Sequence, residues 1–285
     1  MSRKGALVLM AAVMIARGTS FIFSKKLMGD FAPMNVLGVR FIIAFLILTV
    51  IFYKKMLKLD LKTLKGGFVL GACYTACMAA EMYGLRLIDT GTSSFIENSA
   101  VVIVPLYTAV LTRKLPKGRI WFEALIAFTG VGLLTISGGG SLNVGIMLAI
   151  LAALIFGVCI MVTKAVSKDN DPITIGIIQL GTMGILSAII SFIIDKPRLP
   201  QNGTEWLMIL MLAVVCSCFG FTFQPLAQKY ISVETASVFT AVNPLSTCFI
   251  GIIFANEDSG IFKFLGGGLI IAAVIMSVFD KEDAK

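Results

Sequence analysis

IDTGTSSFIENSAVVIVP, Ile88 to Pro105, is an apolar segment that carries a carboxylate, Glu97, well inside its hydrophobic length. Ser94, Glu97 and Asn98 stand at i, i+3 and i+4, so a helix places them on one polar face. A charge inside a spanning helix costs roughly 2.5–3.5 kcal/mol on insertion scales and is turned towards protein or water. The same kind of segment returns as ISVETASVFTAVNPLSTCFI, Ile231 to Ile250, with a polar stripe of Ser237, Thr240, Asn243 and Thr247 and a break expected at Pro244.

The composition around these segments settles the class. Of 285 residues, 58% are hydrophobic and 14% charged, and the mean hydropathy is +0.95. A soluble domain carries about 25% charge, so this is an integral membrane protein. The six cysteines all fall in apolar runs. With no histidine and no paired ligand spacing they read as small packing residues, and no metal or other cofactor is expected.

Ten apolar runs follow one another: Gly5–Ser24, Met34–Tyr53, Gly67–Leu87, Gly91–Leu111, Arg119–Ser137, Leu142–Thr163, Pro172–Ile194, Trp206–Ala227, Val233–Phe254 and Gly260–Phe279. Each is near the ~20 residues that cross a hydrocarbon core, and only helices satisfy their backbone there without closing a barrel. The fold class expected is all-α integral membrane, with ten transmembrane helices. Arg17 inside the first run argues for a retained helix over a signal peptide. Placing the N-terminus in the cytoplasm puts sixteen Lys and Arg inside and six outside, with Arg17 and Arg40 within spans. That bias predicts cytoplasmic termini, and the localisation expected is a bacterial inner membrane. It also accounts for the net charge of +8 through an anionic inner leaflet, without nucleic acid.

The two halves echo each other. Gly18, Lys25 and Pro33 match Gly157, Lys164 and Pro172 at an offset of 139, and Ile88, Thr92 and Ser94 match Ile231, Thr235 and Ser237 at 143. The repeats expected are residues 1–137 and 138–285, five helices each. Five is odd, so the second copy is inverted, an arrangement that favours a central site with alternating access.

Three motifs then carry a resemblance: RGTSFIFSKK (Arg17–Lys26), FIENSAVVIVPLYTAVLTRKLP (Phe95–Pro116) and SVFTAVNPLSTCFIGIIFANE (Ser237–Glu257). With the glycine-bearing runs FTGVGLL and FLGGGLIIAAVIM, the chain resembles the EamA-type branch of the drug/metabolite transporter superfamily. The resemblance implies a secondary carrier, commonly an exporter of amino acids or other small metabolites. It also implies that the fifth and tenth helices lie at the periphery, with Val131 facing outward. Family members usually have an aromatic residue, often Trp, where this chain has Arg17.

Depth arithmetic at ~1.5 Å per residue sets Arg17, Arg40, Glu81 and Glu97 each ~9–11 Å inside the outer ends of their helices. Two readings stand. The four charges neutralise one another and hold the bundle together, or they form a site for an anion or zwitterion. The second-half positions matching Arg40 and Glu81 are Gln179 and Gln224, an asymmetry that suits a site. The candidate substrate-binding set is Arg17, Arg40, Tyr74, Glu81, Ser94, Glu97, Asn98, Gln179, Gln224, Thr240 and Asn243. Arg17, always charged, is the expected fixed cation for a substrate carboxylate, and Glu81 and Glu97 are the groups expected to carry a coupled proton. Tyr74, Met78 and Glu81 share a face. Arg119 and Glu123, at i and i+4, form a local ion pair.

The function expected is a carrier, not an enzyme, that exports or exchanges a small polar metabolite. Alternatives are an exporter of hydrophobic or cationic drugs, favoured if the arginines are fully paired with Glu81 and Glu97, an intramembrane enzyme and a passive channel. The partners expected are a small-molecule substrate, a coupled proton and the lipid bilayer, and the chain is expected as a monomer or homodimer. Topology is directly testable: in intact cells an impermeant thiol reagent leaves Asp60→Cys unlabelled on a cysteine-free background. Labelling of that position from outside would reverse the orientation.

Overall fold

The computed structural model describes residues 1–88, 90–135, 143–255 and 261–278. The expected Ser137–Asn143 turn, with the repeat boundary inside it, falls largely outside the described residues, as do Glu257 and Asp258. Every regular element among the described residues is a helix. Seven are long and apolar enough to cross a membrane: Arg3–Leu27, Pro33–Ile51, Leu61–Leu87, Ser93–Thr112, Val144–Asp169, Pro172–Ile194 and Gly203–Gln228. The remaining expected runs are helical too, as Gly118–Thr135, as the pair Val233–Thr240 and Val242–Ala255, and as Ile261–Val278.

The starts of these helices are written locally. Asp60, Asn143, Asp171, Asn202 and Ser232 each accept a hydrogen bond from the backbone N–H three residues on, the N-cap arrangement. Pro33 and Pro172 open their helices, where a missing N–H costs nothing. Interior breaks are less legible. The first rod is interrupted at Thr19, the segment containing Glu97 at Ser99, and the segment containing Asn243 at Ala241. That last break lies three residues before the expected Pro244, because a proline crowds the turn preceding it. Leu212–Phe221 is π-helical.

Close crossings hold the rods together. A Cβ on Gly71 would lie 2.5 Å from Thr182 Cβ and 2.8 Å from the Gln179 carbonyl oxygen, and one on Gly18 would lie 2.5 Å from the Asn243 carbonyl oxygen. These glycines let backbones touch. Gly268 has nothing within 4 Å, so the glycine run there is not a contact along its whole length. Val131, expected to face outward, is fully buried with Ala124, Ala127, Ile270 and Ala273. The Gly118–Thr135 and Ile261–Val278 helices cover each other's faces, which a single run of apolar residues does not disclose. Arg119 Nε does meet Glu123 Oε1 at 2.9 Å.

Two lysines 139 residues apart do the same work. Lys25 Nζ donates to the carbonyls of Leu85 and Ile88, and Lys164 Nζ donates to those of Lys229 (3.0 Å) and Ile231 (2.6 Å). Each cation satisfies the bare carbonyls at the end of a neighbouring helix. The rods they belong to point opposite ways. Lys25 ends the first rod beside the end of Leu61–Leu87, whereas Asp169 ends Val144–Asp169 beside the start of Leu61–Leu87, 3.7 Å from Lys62.

Polar contacts tie the ends of the bundle. At one end, Lys55 pairs with Asp171 at 2.9 Å, and Lys229 Nζ donates to the Asn170 carbonyl. Burial alone would raise the Asp171 pKa, but hydrogen bonds from Thr174 and Lys55 outweigh it and hold the carboxyl below its ordinary value. This clasp is therefore complete at neutral pH and is lost only as pH falls through that depressed pKa. At the other end, Arg198 is bidentate on Glu205 and lies 3.8 Å from the Phe31 ring centroid, while Asn35 donates to the Arg198 carbonyl.

Gly71→Ala is expected to destabilise the protein by about 1–3 kcal/mol through overpacking, and Gly268→Ala to leave it nearly unchanged. Thermal unfolding of the two variants in detergent separates them; equal melting temperatures would mean that the Gly71 crossing has slack.

Candidate functional site

The helix interruptions converge on one buried cavity. Its wall includes Arg17 and Ser20 from either side of the Thr19 break, Glu97 just before Ser99, Asn243 just after Ala241, and Cys216 and Phe221 from the π-helical segment. Phe21, Arg40, Met78 and Glu81 complete it. Irregular backbone at membrane depth is tolerated where it is buried in protein or lines a cavity. The cavity volume is ≈ 10 Å³, room for about one water.

Arg17 is held by one amide and three aromatic rings. Its Nη1 donates to Gln224 Oε1 at 2.6 Å, and Gln224 Nε2 donates to the Tyr74 hydroxyl at 2.9 Å. The guanidinium carbon lies 4.4, 5.2 and 5.8 Å from the ring centroids of Phe221, Phe156 and Tyr74. Tyr74 meets both phenylalanines edge to face. Rings within ~6 Å attract a cation through their quadrupoles, so this cage stabilises the charge without a carboxylate contact. Gly220 makes room for the arginine stem, since a Cβ there would sit 2.8 Å from Arg17 Cγ.

Arg40 is held differently. It is fully buried, and its Nε donates to Ser217 Oγ at 3.1 Å. Ser217 Oγ in turn donates to the Leu212 carbonyl, five residues back, at 2.9 Å. That bond spans the π-helical register, and such bulges frequently mark functional sites. The guanidinium also lies 4.6 Å from the Phe41 ring centroid. Its Nη1 and Nη2 have no hydrogen-bond partner in the protein. Neither do Oε2 of Glu81, Oε2 of Glu97 and Oδ1 of Asn243, all in the same wall. The described ion pairs lie elsewhere, and the two arginines and two glutamates make none within 4 Å of one another.

The eleven candidate residues therefore divide. Arg17, Arg40, Glu81, Glu97 and Asn243 line the cavity, and Gln224 stands one hydrogen bond behind Arg17 and Tyr74 two. The other four lie outside the cavity wall and make local contacts, with Asn98 Oδ1 and Gln179 Oε1 left without a partner. Asn98 donates to the Ser94 carbonyl and contacts its hydroxyl, Thr240 donates to the Ser237 carbonyl, and Gln179 contacts Met183 Sδ at 3.8 Å. Helical side chains one turn apart can face each other instead of the cavity, and in these stripes they do. Met78, which shares the face of Glu81, reaches the wall, while Tyr74 lies beneath it. Sequence reasoning missed Ser20, Phe21, Ser217, Phe156 and Phe221, which stand in apolar runs where aromatic and small residues read as packing. It also assigned Cys216 to packing, yet the thiol faces the cavity and its sulfur is 3.1 Å from Thr19 Oγ1. The described cysteines are free thiols; the Cys248 side chain lies outside the description.

This geometry brings fixed cations, proton-accepting carboxylates and an amide to one small enclosed space. It can bind a polar molecule or hold a proton. Among the described residues no cluster of His, Cys, Asp and Glu could hold a metal ion.

Comparison with known proteins places these features. The sequence profile described as the EamA-like transporter family matches residues 4–136 and again residues 143–279. Two proteins of Archaeoglobus fulgidus, each described as an "Uncharacterized transporter", are similar along their length. One is 22% identical over 280 residues, covering 96% of this chain and 95% of its own. The other is 23% identical over 287 residues, covering 95% and 96%. The "Uncharacterized transporter YetK" of Bacillus subtilis is 21% identical over 299 residues, covering 98% of this chain and 88% of its own. A solved structure described only as "Crystal structure of protein" has the same fold, with a TM-score of 0.80 at 15% identity over 97% of each chain.

Proposed function

Because the chain belongs to the EamA-like transporter family, we propose that it is a secondary active carrier that exports or exchanges a small polar metabolite by alternating access. On this reading ten helices cross a bacterial inner membrane with both termini in the cytoplasm. Residues 1–137 and 138–285 are two five-helix repeats, the second inverted. The twofold match to the family profile, the equivalent lysines Lys25 and Lys164 and the opposed rods that carry them support the inversion.

One observation carries the functional reading. Two arginines and two glutamates surround a single buried cavity at the helix interruptions, without pairing with one another. A purely structural quartet would close its ion pairs, because unpaired buried charge is costly. Open valences at a cavity are what a polar substrate needs. A volume of ≈ 10 Å³ is far below that of a metabolite, so this is a closed conformation, and the broken rods are where it opens. The cationic-drug alternative loses support on two counts: the arginines are not paired with Glu81 and Glu97, and the aromatic cage that would suit a cation already holds Arg17.

The test is a screen of small polar metabolites in proteoliposomes under an imposed pH gradient. Saturable uphill accumulation is expected, whereas flux that only follows its own gradient would point to a channel. Glu97→Gln should abolish proton-driven accumulation while sparing exchange. Asn243→Leu, in the cavity wall, should impair transport far more than Val110→Leu at an exposed site. Equal effects at both positions would move the pathway away from this cavity.

A further inference from the structure

Resting on the carrier reading above, we propose that the two buried arginines divide the work. Arg40 is the group that takes a substrate's oxyanion (carboxylate, sulfonate or phosphate), and Arg17 is a tethered cation that fills the aromatic cage. This moves to Arg40 the role that the sequence suggested for Arg17.

Arg17 cannot present both terminal nitrogens to a ligand, because one of them is already committed. Its Nη1 is on Gln224, which is itself fixed by Tyr74, and three rings surround its guanidinium. Drawing it towards a substrate would strip Gln224 Oε1 of its donor and empty the cage.

Arg40 is the reverse case. Only Nε is committed, and the terminal nitrogens, with four N–H groups, have no partner in the protein although the residue is fully buried. Leaving charged donors bare is expensive, and an arginine does not escape by losing its proton. A ligand with two oxygens in one plane fits the fork as a bidentate pair. Ser217 fixes the plane of that fork. Its own proton goes to the Leu212 carbonyl, so its oxygen is left to accept from Arg40 Nε. Arg40 is thus preset by the π-helical turn before a ligand arrives. Across the cavity, Glu81 Oε2, Glu97 Oε2 and Asn243 Oδ1 are acceptors without donors. The complementary substrate therefore carries its oxyanion at one end and hydrogen-bond donors at the other.

Cys216 lines the same cavity and serves as a reporter. In the full-length chain, reconstituted with the other five cysteines replaced by alanine, Cys216 is reacted with 2-sulfonatoethyl methanethiosulfonate or its trimethylammonio analogue. Rates are read by mass spectrometry. The ratio of sulfonate to ammonium rates should fall by about tenfold in Arg40→Gln, as expected for losing a contacting charge in a poorly solvated site. It should fall less in Arg17→Gln. Arg40→Met, neutral and comparably long, repeats the measurement should the glutamine variant fold poorly. An unchanged ratio in the Arg40 variants, or an equal fall in Arg17→Gln, would overturn the assignment while leaving the carrier reading intact. No labelling by either reagent would mean that no aqueous path reaches the cavity, which would overturn the carrier reading and this assignment together.

Discussion

The rest of this structure depends on how two guanidinium groups are kept in the middle of an apolar bundle without a carboxylate touching either. Removing such ions from water costs several kcal/mol apiece, and the fold meets that cost in two ways. Arg17 is held by ring faces and one amide, and Arg40 by a serine hydroxyl and one ring. Both arrangements need backbone that is not an uninterrupted α-helix. Arg17 stands two residues before the Thr19 break, and Ser217 reaches Arg40 from a π-helical turn. The interruptions are therefore part of the site and not defects in the scaffold.

The ends of the bundle are tied in ways that differ in strength and kind. One end is held between the halves by exposed lysine–aspartate pairs, which are weak singly and screened by salt. The other is held by hydrogen bonds to backbone and by an arginine whose charge is already satisfied within its own loop. The close glycine crossings, by contrast, involve backbone and cannot stretch.

Opposite charges left unpaired around a closed cavity mean that the bundle holds polar capacity in reserve. A ligand that supplies an oxyanion to Arg40 and donors to the acceptor wall would satisfy more groups at once than any rearrangement of the protein's own side chains.

Much of this was legible in the chain. Hydropathy and length announced a helical membrane protein, and the linear spacing of Arg17, Arg40, Glu81 and Glu97 singled out four groups that the structure brings to one cavity wall. These are properties of linear spacing, and spacing along a helix converts directly to height. Azimuth is another matter. Whether Asn98 faces a cavity or bonds Ser94, and whether Val131 meets lipid or a neighbouring helix, depends on which rod lies alongside, and the residue pattern does not specify that. The π-helical turn at Leu212–Phe221 has no composition of its own, so Ser217 carried no signal. Nor could sequence tell the two guanidinium groups apart: only the tertiary structure surrounds Arg17 with Phe156, Phe221 and Gln224 while leaving both terminal nitrogens of Arg40 without a partner, because those partners come from distant rods.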